Sequence, residues 1–181
     1  MMGWAAEGLG RGTQDSLAHW SYVGGLPTKN FTEPIFENAD LLTGERNYEM
    51  FLEGRDTCQA CPVNCKQVFA HESDNPYQKL RPEYGGPEYE AMAALGPTCL
   101  VDDNLAVSKA NELCNANGMD AISTGVAIAF VMECFERGIL TSADTGGVEF
   151  RWGDPGTLVR AVEMIAARAG FGDVMADGVA R

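Results

Sequence analysis

Three of the chain's six cysteines fall in one short segment, Cys58-Gln-Ala-Cys61-Pro-Val-Asn-Cys65. This C-x2-C-x3-C spacing lets a single loop fold three thiolates around one small metal centre. Pro62 stiffens the loop, and backbone amides can point at the sulfurs. Zinc accepts C-x2-C, but it normally takes a second pair of Cys or His at similar spacing. The two histidines, His19 and His71, stand alone. Three thiolates in one loop with a distant fourth suit a [4Fe-4S] cluster better. Spacing alone leaves three readings open: an iron–sulfur cluster, a zinc site, or redox-active or unligated thiols. Cys114 and Cys134 lie in helical, apolar text, where a buried structural cysteine is the ordinary case. Cys99, in the turn after Gly96-Pro97-Thr98, is the best of the three as a substitute. The fourth ligand is expected to be missing from the chain.

The remaining composition narrows the class. With 181 residues and 45% hydrophobic side chains, the chain can bury a real core. Its 26 acidic against 13 basic residues give a formal charge of -13. Nucleic acid is therefore not an expected partner, because phosphate binding needs a basic face. Anionic membrane surfaces are excluded for the same reason. No run approaches the ~20 apolar residues of a membrane span. Met1-Met2-Gly3-Trp4 lacks the basic and apolar regions of a secretory signal. The cysteines are not spaced as a secreted disulfide framework, so a reducing cytoplasm is the expected location.

The text reads as mainly α: a multi-helical domain with a turn-rich N-terminal part and a cysteine-bearing loop. Up to about Arg55, turns at Gly24-Gly25, Leu26-Pro27, Glu33-Pro34 and Thr43-Gly44 surround short helices expected at Asp15–Tyr22 and Asn47–Glu53. From Asn75-Pro76 to Gly85-Gly86 an ordered surface loop is expected. Pro87 then suits the first position of a helix with Glu88 and Glu90 in its opening turn, stopped by Gly96-Pro97. Asp102 or Asp103 caps a helix to about Asn117, closed by Gly118. A helix at about Ser123 to Arg137 is apolar nearly all round, which predicts burial. Asp154-Pro155 opens another, reaching to near Gly170 with the stripe Leu158, Val162 and Ile165. Asp173 starts a last helix that runs to Arg181 without a stop signal, so the chain is expected to continue.

Two further clusters carry chemistry. Gly86-Pro-Glu-Tyr-Glu90 packs two carboxylates at one helix start, with Glu90 nearer the apolar run Ala91 to Leu95. A carboxylate with one apolar wall can act as general acid or base, whereas the plainer role is stabilisation of the helix dipole. Asn115-Ala-Asn-Gly118-Met119-Asp120 joins two helices and sets an amide and a carboxylate around a glycine. That arrangement can receive a ligand at the backbone or serve only as a helix cap.

Taken in order, these segments resemble the aldehyde:ferredoxin oxidoreductase family. The matching text is Gly25-Leu-Pro-Thr-Lys-Asn-Phe31, the Cys58–Cys65 motif, Gly86-Pro-Glu-Tyr-Glu90, Ala110-Asn-Glu-Leu-Cys114, Asp120-Ala-Ile-Ser-Thr-Gly125, Trp152-Gly153-Asp154 and Gly172-Asp173-Val-Met-Ala-Asp-Gly178. The resemblance implies tungsten or molybdenum held by two pterin dithiolenes beside a [4Fe-4S] cluster. It also implies oxidation of an aldehyde to a carboxylate, with electrons passing to ferredoxin. By the same resemblance residues 1–181 are most of the first helical domain. The N-terminal pterin domain, the C-terminal helical domain and the fourth cluster cysteine then lie outside the chain.

The resemblance also assigns roles by position. Cys58, Cys61 and Cys65 match the cluster ligands, and Glu90 matches the active-site glutamate. Asn115, Gly118 and Asp120 fall in the pterin-contacting motif D-x-x-G-L-[CD]. Asparagine there replaces a carboxylate with a single carbonyl acceptor, and Met119 replaces leucine. Some members carry an E-x-x-H metal site in the preceding helix. Here the text is Lys109-Ala-Asn-Glu112, so no such bridging metal is expected. Reduction of an aromatic acyl-CoA shares these motifs, and a non-catalytic iron–sulfur electron-transfer subunit is the alternative of another class. The identity of the aldehyde, the choice of tungsten or molybdenum and the oligomeric state, a homo-oligomer included, stay open.

Overall fold

The computed structural model describes residues 10–179. Seven α-helices and one two-stranded sheet make up its regular structure, in the order α1 (Leu17–Tyr22), α2 (Gly44–Phe51), β1 (Leu52–Asp56), β2 (Lys66–Phe69), α3 (Tyr89–Leu95), α4 (Asn104–Ala116), α5 (Ala121–Glu136), α6 (Pro155–Ala167) and α7 (Phe171–Met175). The mainly α class read from the sequence is the class observed. No described helix is long and apolar enough to cross a membrane.

The helix boundaries follow cap chemistry. Asp103, Asp120 and Asp154 each accept a hydrogen bond from a backbone N–H in the first turn of α4, α5 and α6. Gly118 ends the α4–α5 junction at φ +65°, a left-handed conformation that costs glycine nothing. The N-terminal half of the main core comes from α3 and its neighbours, with Met92 and Leu95 fully buried. The helices α4 to α6 add Val107, Ile128, Met132, Leu158 and Val162. In this core α4 packs on α6 and α3 on α5. The α3–α5 crossing is close because Gly125 has no side chain: a Cβ there would lie 2.4 Å from the Ala94 carbonyl oxygen.

Four expectations are corrected. The helix expected from Pro87 begins at Tyr89, with Glu88 its extended N-cap residue (ψ 170°). Chain 80–88 runs alongside the cysteine hairpin before it turns into α3, which keeps Glu88 off the helix. Glu53, expected to be helical, lies in β1, which pairs antiparallel with β2 to form that hairpin. α5 is not buried all round, because Ile122 and Phe130 are 45% and 47% exposed. The last helix stops at Met175, and a left-handed Gly178 follows. Residues 180–181, where that helix was expected to be still running, lie outside the described residues.

A smaller core of Phe51, Phe69 and Leu80 sits under the hairpin, with Leu105 of α4 packed against it. It fixes the hairpin, and therefore the cysteine loop at its end, against the helical body.

Candidate metal centre and neighbouring carboxylates

The three clustered cysteines occupy the loop between β1 and β2. Ala60 and Asn64 take left-handed backbone conformations that turn the loop back on itself (φ +59° and +56°). The N–H of Cys61 donates to the Cys58 carbonyl at 3.0 Å, and the Thr57 hydroxyl donates to the Cys61 carbonyl. Cys58 is exposed, and Cys61 and Cys65 are half-buried; all three are free thiols. Burial raises the Cys65 thiol above its ordinary value, and the charges of Glu88, Cys61 and Cys58 raise it further. Among the described residues, no three His, Cys, Asp or Glu side chains are gathered tightly enough to hold a single metal ion. The loop thus brings the three cysteines to one place without closing their sulfurs into one ion-sized group. An iron–sulfur cluster spreads its thiolates around a larger body than one ion, and an all-thiolate donor set on a turned loop suits it.

The other cysteines do different work. Cys99 is in the core, where its thiol donates to the Ala94 and Gly125 carbonyls at 3.6 and 3.5 Å. Burial pushes it up to about 12. Burial pushes Cys114 up to about 11, against a hydrogen bond with Thr124 that acts the other way. Cys134 is half-buried and likewise raised, chiefly by burial. Cys99 and Cys114, both fully buried, are poorly placed to serve as thiolate ligands.

The carboxylates of the Gly86–Glu90 segment diverge. Glu88 is half-buried, and its Oε2 accepts a hydrogen bond from the Thr13 hydroxyl. That hydroxyl in turn accepts from the Tyr89 N–H at 2.9 Å. Glu90 is exposed and lines a cleft of about 450 Å³ with Thr13, Ser16, Trp20, Gly25 and Tyr89. The apolar wall beside Glu90 is therefore Trp20 and Tyr89. Leu95, expected in that place, is fully buried in the core. Thr13 and Trp20 could not be found from the sequence, because each lies about seventy residues from Glu90 and no local spacing links them. A larger cleft of about 640 Å³, between the starts of α4 and α6, is lined by Asp103, Leu105, Val159 and Arg160 and holds none of these residues.

At the α4–α5 junction, Asn115 donates its side-chain N–H to the Tyr84 carbonyl at 2.9 Å, which leaves its amide oxygen for another partner. The Asp120 carboxylate caps α5 through the Ser123 N–H at 2.8 Å. Its hydrogen bonds to Ser123 hold it below the ordinary carboxylate value. A Cβ at Gly118 would meet nothing within 4 Å, so the backbone there is open to approach. In the preceding turn of α4, the Lys109 ammonium lies 2.7 Å from the buried Glu112 carboxylate. Glu112 also takes the Arg81 N–H at 2.7 Å and the Arg81 guanidinium at 3.2 Å.

Comparison with known proteins identifies the family. The family described as "Aldehyde ferredoxin oxidoreductase, domains 2 & 3" matches residues 6–181. The chain is 38% identical over 156 residues to a tungsten-containing aldehyde ferredoxin oxidoreductase of Thermococcus kodakarensis, covering 84% of the chain. It is 36% identical over 153 residues to the protein of that name from Pyrococcus furiosus. It is also 26% identical over 155 residues to the aliphatic sulfonate oxidoreductase, WOR-like subunit, of Pyrococcus furiosus, covering 86% of the chain. In each case the chain spans 24% of the relative's length. A match over nearly the whole chain makes this chain a member of the aldehyde ferredoxin oxidoreductase family.

Proposed function

We propose that the chain is most of the cluster-bearing helical domain of a longer tungsten- or molybdenum-pterin oxidoreductase, and that this enzyme oxidises an aldehyde to a carboxylate. In this reading Cys58, Cys61 and Cys65 hold a [4Fe-4S] cluster, and ferredoxin or a similar carrier takes the electrons. The observation that carries it is the closeness of two segments, the three-cysteine loop and the Glu88–Glu90 turn, in a chain of this family. Two relatives are named as tungsten-containing.

Oxidising an aldehyde adds an oxygen from water to the carbonyl carbon and releases two electrons and the water's protons. The pterin-bound metal supplies the two-electron chemistry when bound. The chain's own part is proton handling and positioning. Glu90 faces the cleft and, among the described residues, is the one carboxylate lining it, so it takes the water's proton. Trp20 and Tyr89 form the apolar wall of the cleft beside that carboxylate. Asn115, Gly118 and Asp120 meet the pterin, a reading supported by the Asn115 amide oxygen, which takes no partner among the described residues, and by the open backbone at Gly118. Reduction of an aromatic acyl-CoA is the second reading within the family, and an electron-transfer subunit without catalysis is the second outside it.

The test is Glu90→Gln in the intact enzyme. Losing a general base costs about 10²–10⁴ in rate. The expected result is a fall in kcat of that order with iron content unchanged, while Glu88→Gln lowers kcat far less. A near-normal kcat in Glu90→Gln, or greater damage in Glu88→Gln, overturns the assignment.

A further inference from the structure

Glu88 has no part in the proton chemistry above, yet it is the more enclosed of the two carboxylates. Its surroundings come from three separate parts of the chain. Segment 80–88 runs antiparallel to the start of β2 and the residues beyond it. His71 and Leu80 exchange backbone hydrogen bonds at 3.2 and 3.0 Å, and the Gly86 N–H donates to the Gln67 carbonyl at 2.8 Å. Glu88 and Cys65 each lie two residues from this Gly86–Gln67 bond. Thr13 then fixes the carboxylate, because its hydroxyl donates to Oε2 while it accepts from the Tyr89 N–H. Thr13 is itself anchored through its neighbour Gln14. That fully buried side chain bonds Gln67 of β2 and takes the Asn47 amide at 3.1 Å. The network therefore ties the hairpin that carries the cysteines to the hydroxyl that aims the carboxylate. Glu88 forms no side-chain cap of α3 and no ion pair among the described residues, so its negative charge is not spent locally.

Resting on the iron–sulfur reading above, we infer that Glu88 is a potential-setting residue: its carboxylate, held by Thr13 beside the hairpin that carries Cys65, lowers the reduction potential of the cluster on the Cys58–Cys65 loop. An added electron brings one negative charge to a thiolate-bound centre, and a fixed carboxylate nearby opposes it. A lower potential keeps an electron from resting on the cluster and favours its onward transfer to the external carrier.

The experiment is potentiometric titration of the intact enzyme followed by EPR, with iron and sulfide measured on the same samples. Glu88→Gln keeps the acceptor for Thr13 and removes the charge. It should raise the potential by about tenfold in the reduction equilibrium, which is about 59 mV for one electron. Glu88→Asp keeps the charge and should stay close to the parent. Glu149→Gln, on the exposed surface beside Arg151, should not move it. Thr13→Val removes the hydroxyl that holds the carboxylate in place and should raise the potential by less than Glu88→Gln does, so it decides the matter if Glu88→Gln fails to retain iron. An unchanged potential in Glu88→Gln with a full cluster overturns the inference. So does an equal rise in Glu149→Gln, or a Thr13→Val potential at or below the parent's. A parent enzyme with no iron–sulfur signal overturns the cluster reading itself, and the inference with it.

Discussion

The backbone N–H of Gly86 donates to the carbonyl of Gln67 at 2.8 Å, and through this bond the cysteine hairpin and the carboxylate-bearing turn become neighbours. The approach depends on glycine, because a Cβ at position 86 would lie 2.7 Å from the Phe69 ring. Phe69 is 1% exposed, within the small core under the hairpin, and has little room to yield. Gly86→Ala should therefore destabilise the protein by about 1–3 kcal/mol, as overpacking does. Chemical denaturation measures it, and a loss below a few tenths of a kcal/mol would show that the ring moves aside freely.

Glu112 predicts a larger loss. Its side chain is 2% exposed, and Lys109, at 10%, shares its carboxylate with Arg81. Lys109 also donates to the Lys79 carbonyl at 2.9 Å, so the cluster pins segment 79–81 to α4. Glu112→Ala leaves a buried ammonium unpaired and should cost about 3–5 kcal/mol. Arg81→Ala removes a half-exposed partner and should cost under about 1 kcal/mol. Equal losses in the two variants, read from the same denaturation curves, would show that burial does not set the strength of these pairs.

Asp120 gives a prediction that depends on pH. Its hydrogen bonds to Ser123 hold the folded-state carboxyl below the ordinary value of 3.8. The folded protein therefore favours the anion more than the unfolded chain does. The stabilisation is fully present above that ordinary value, and it is lost as pH falls through the lower folded value. Asp120→Ala removes the cap of α5 and should cost about 0.5–2 kcal/mol at neutral pH. Thermal unfolding of the two proteins should show the gap steady down to about pH 4 and closing only in stronger acid. A gap that closes near neutrality would assign the effect to another group.

Much of this was legible in the sequence because caps and breakers are local. Asp103 and Gly118 bounded α4, Asp154-Pro155 opened α6, and the stripe Leu158, Val162 and Ile165 is buried as expected. The β-hairpin was not legible. Leu52–Asp56 is a largely polar strand without apolar alternation, and it pairs because Phe51 and Phe69 close a core at its base. The helical start read at Pro87 failed for a related reason. Position 86 is bonded to a residue in β2, and Glu88 is held by Thr13. The three cysteines stand out by their spacing, which leaves an iron–sulfur cluster, zinc or unligated thiols open, but the neighbours that shape the adjoining cleft, Thr13 and Trp20, are set by tertiary contact.

The metal on the cysteine loop decides the account. The intact protein, purified without oxygen, should contain iron and acid-labile sulfide in similar amounts and give an EPR signal on one-electron reduction. Separate Cys58→Ser, Cys61→Ser and Cys65→Ser variants should each lose that signal with most of the iron, whereas Cys114→Ser should keep both. Zinc alone in the parent protein, with neither iron nor sulfide, would contradict the account.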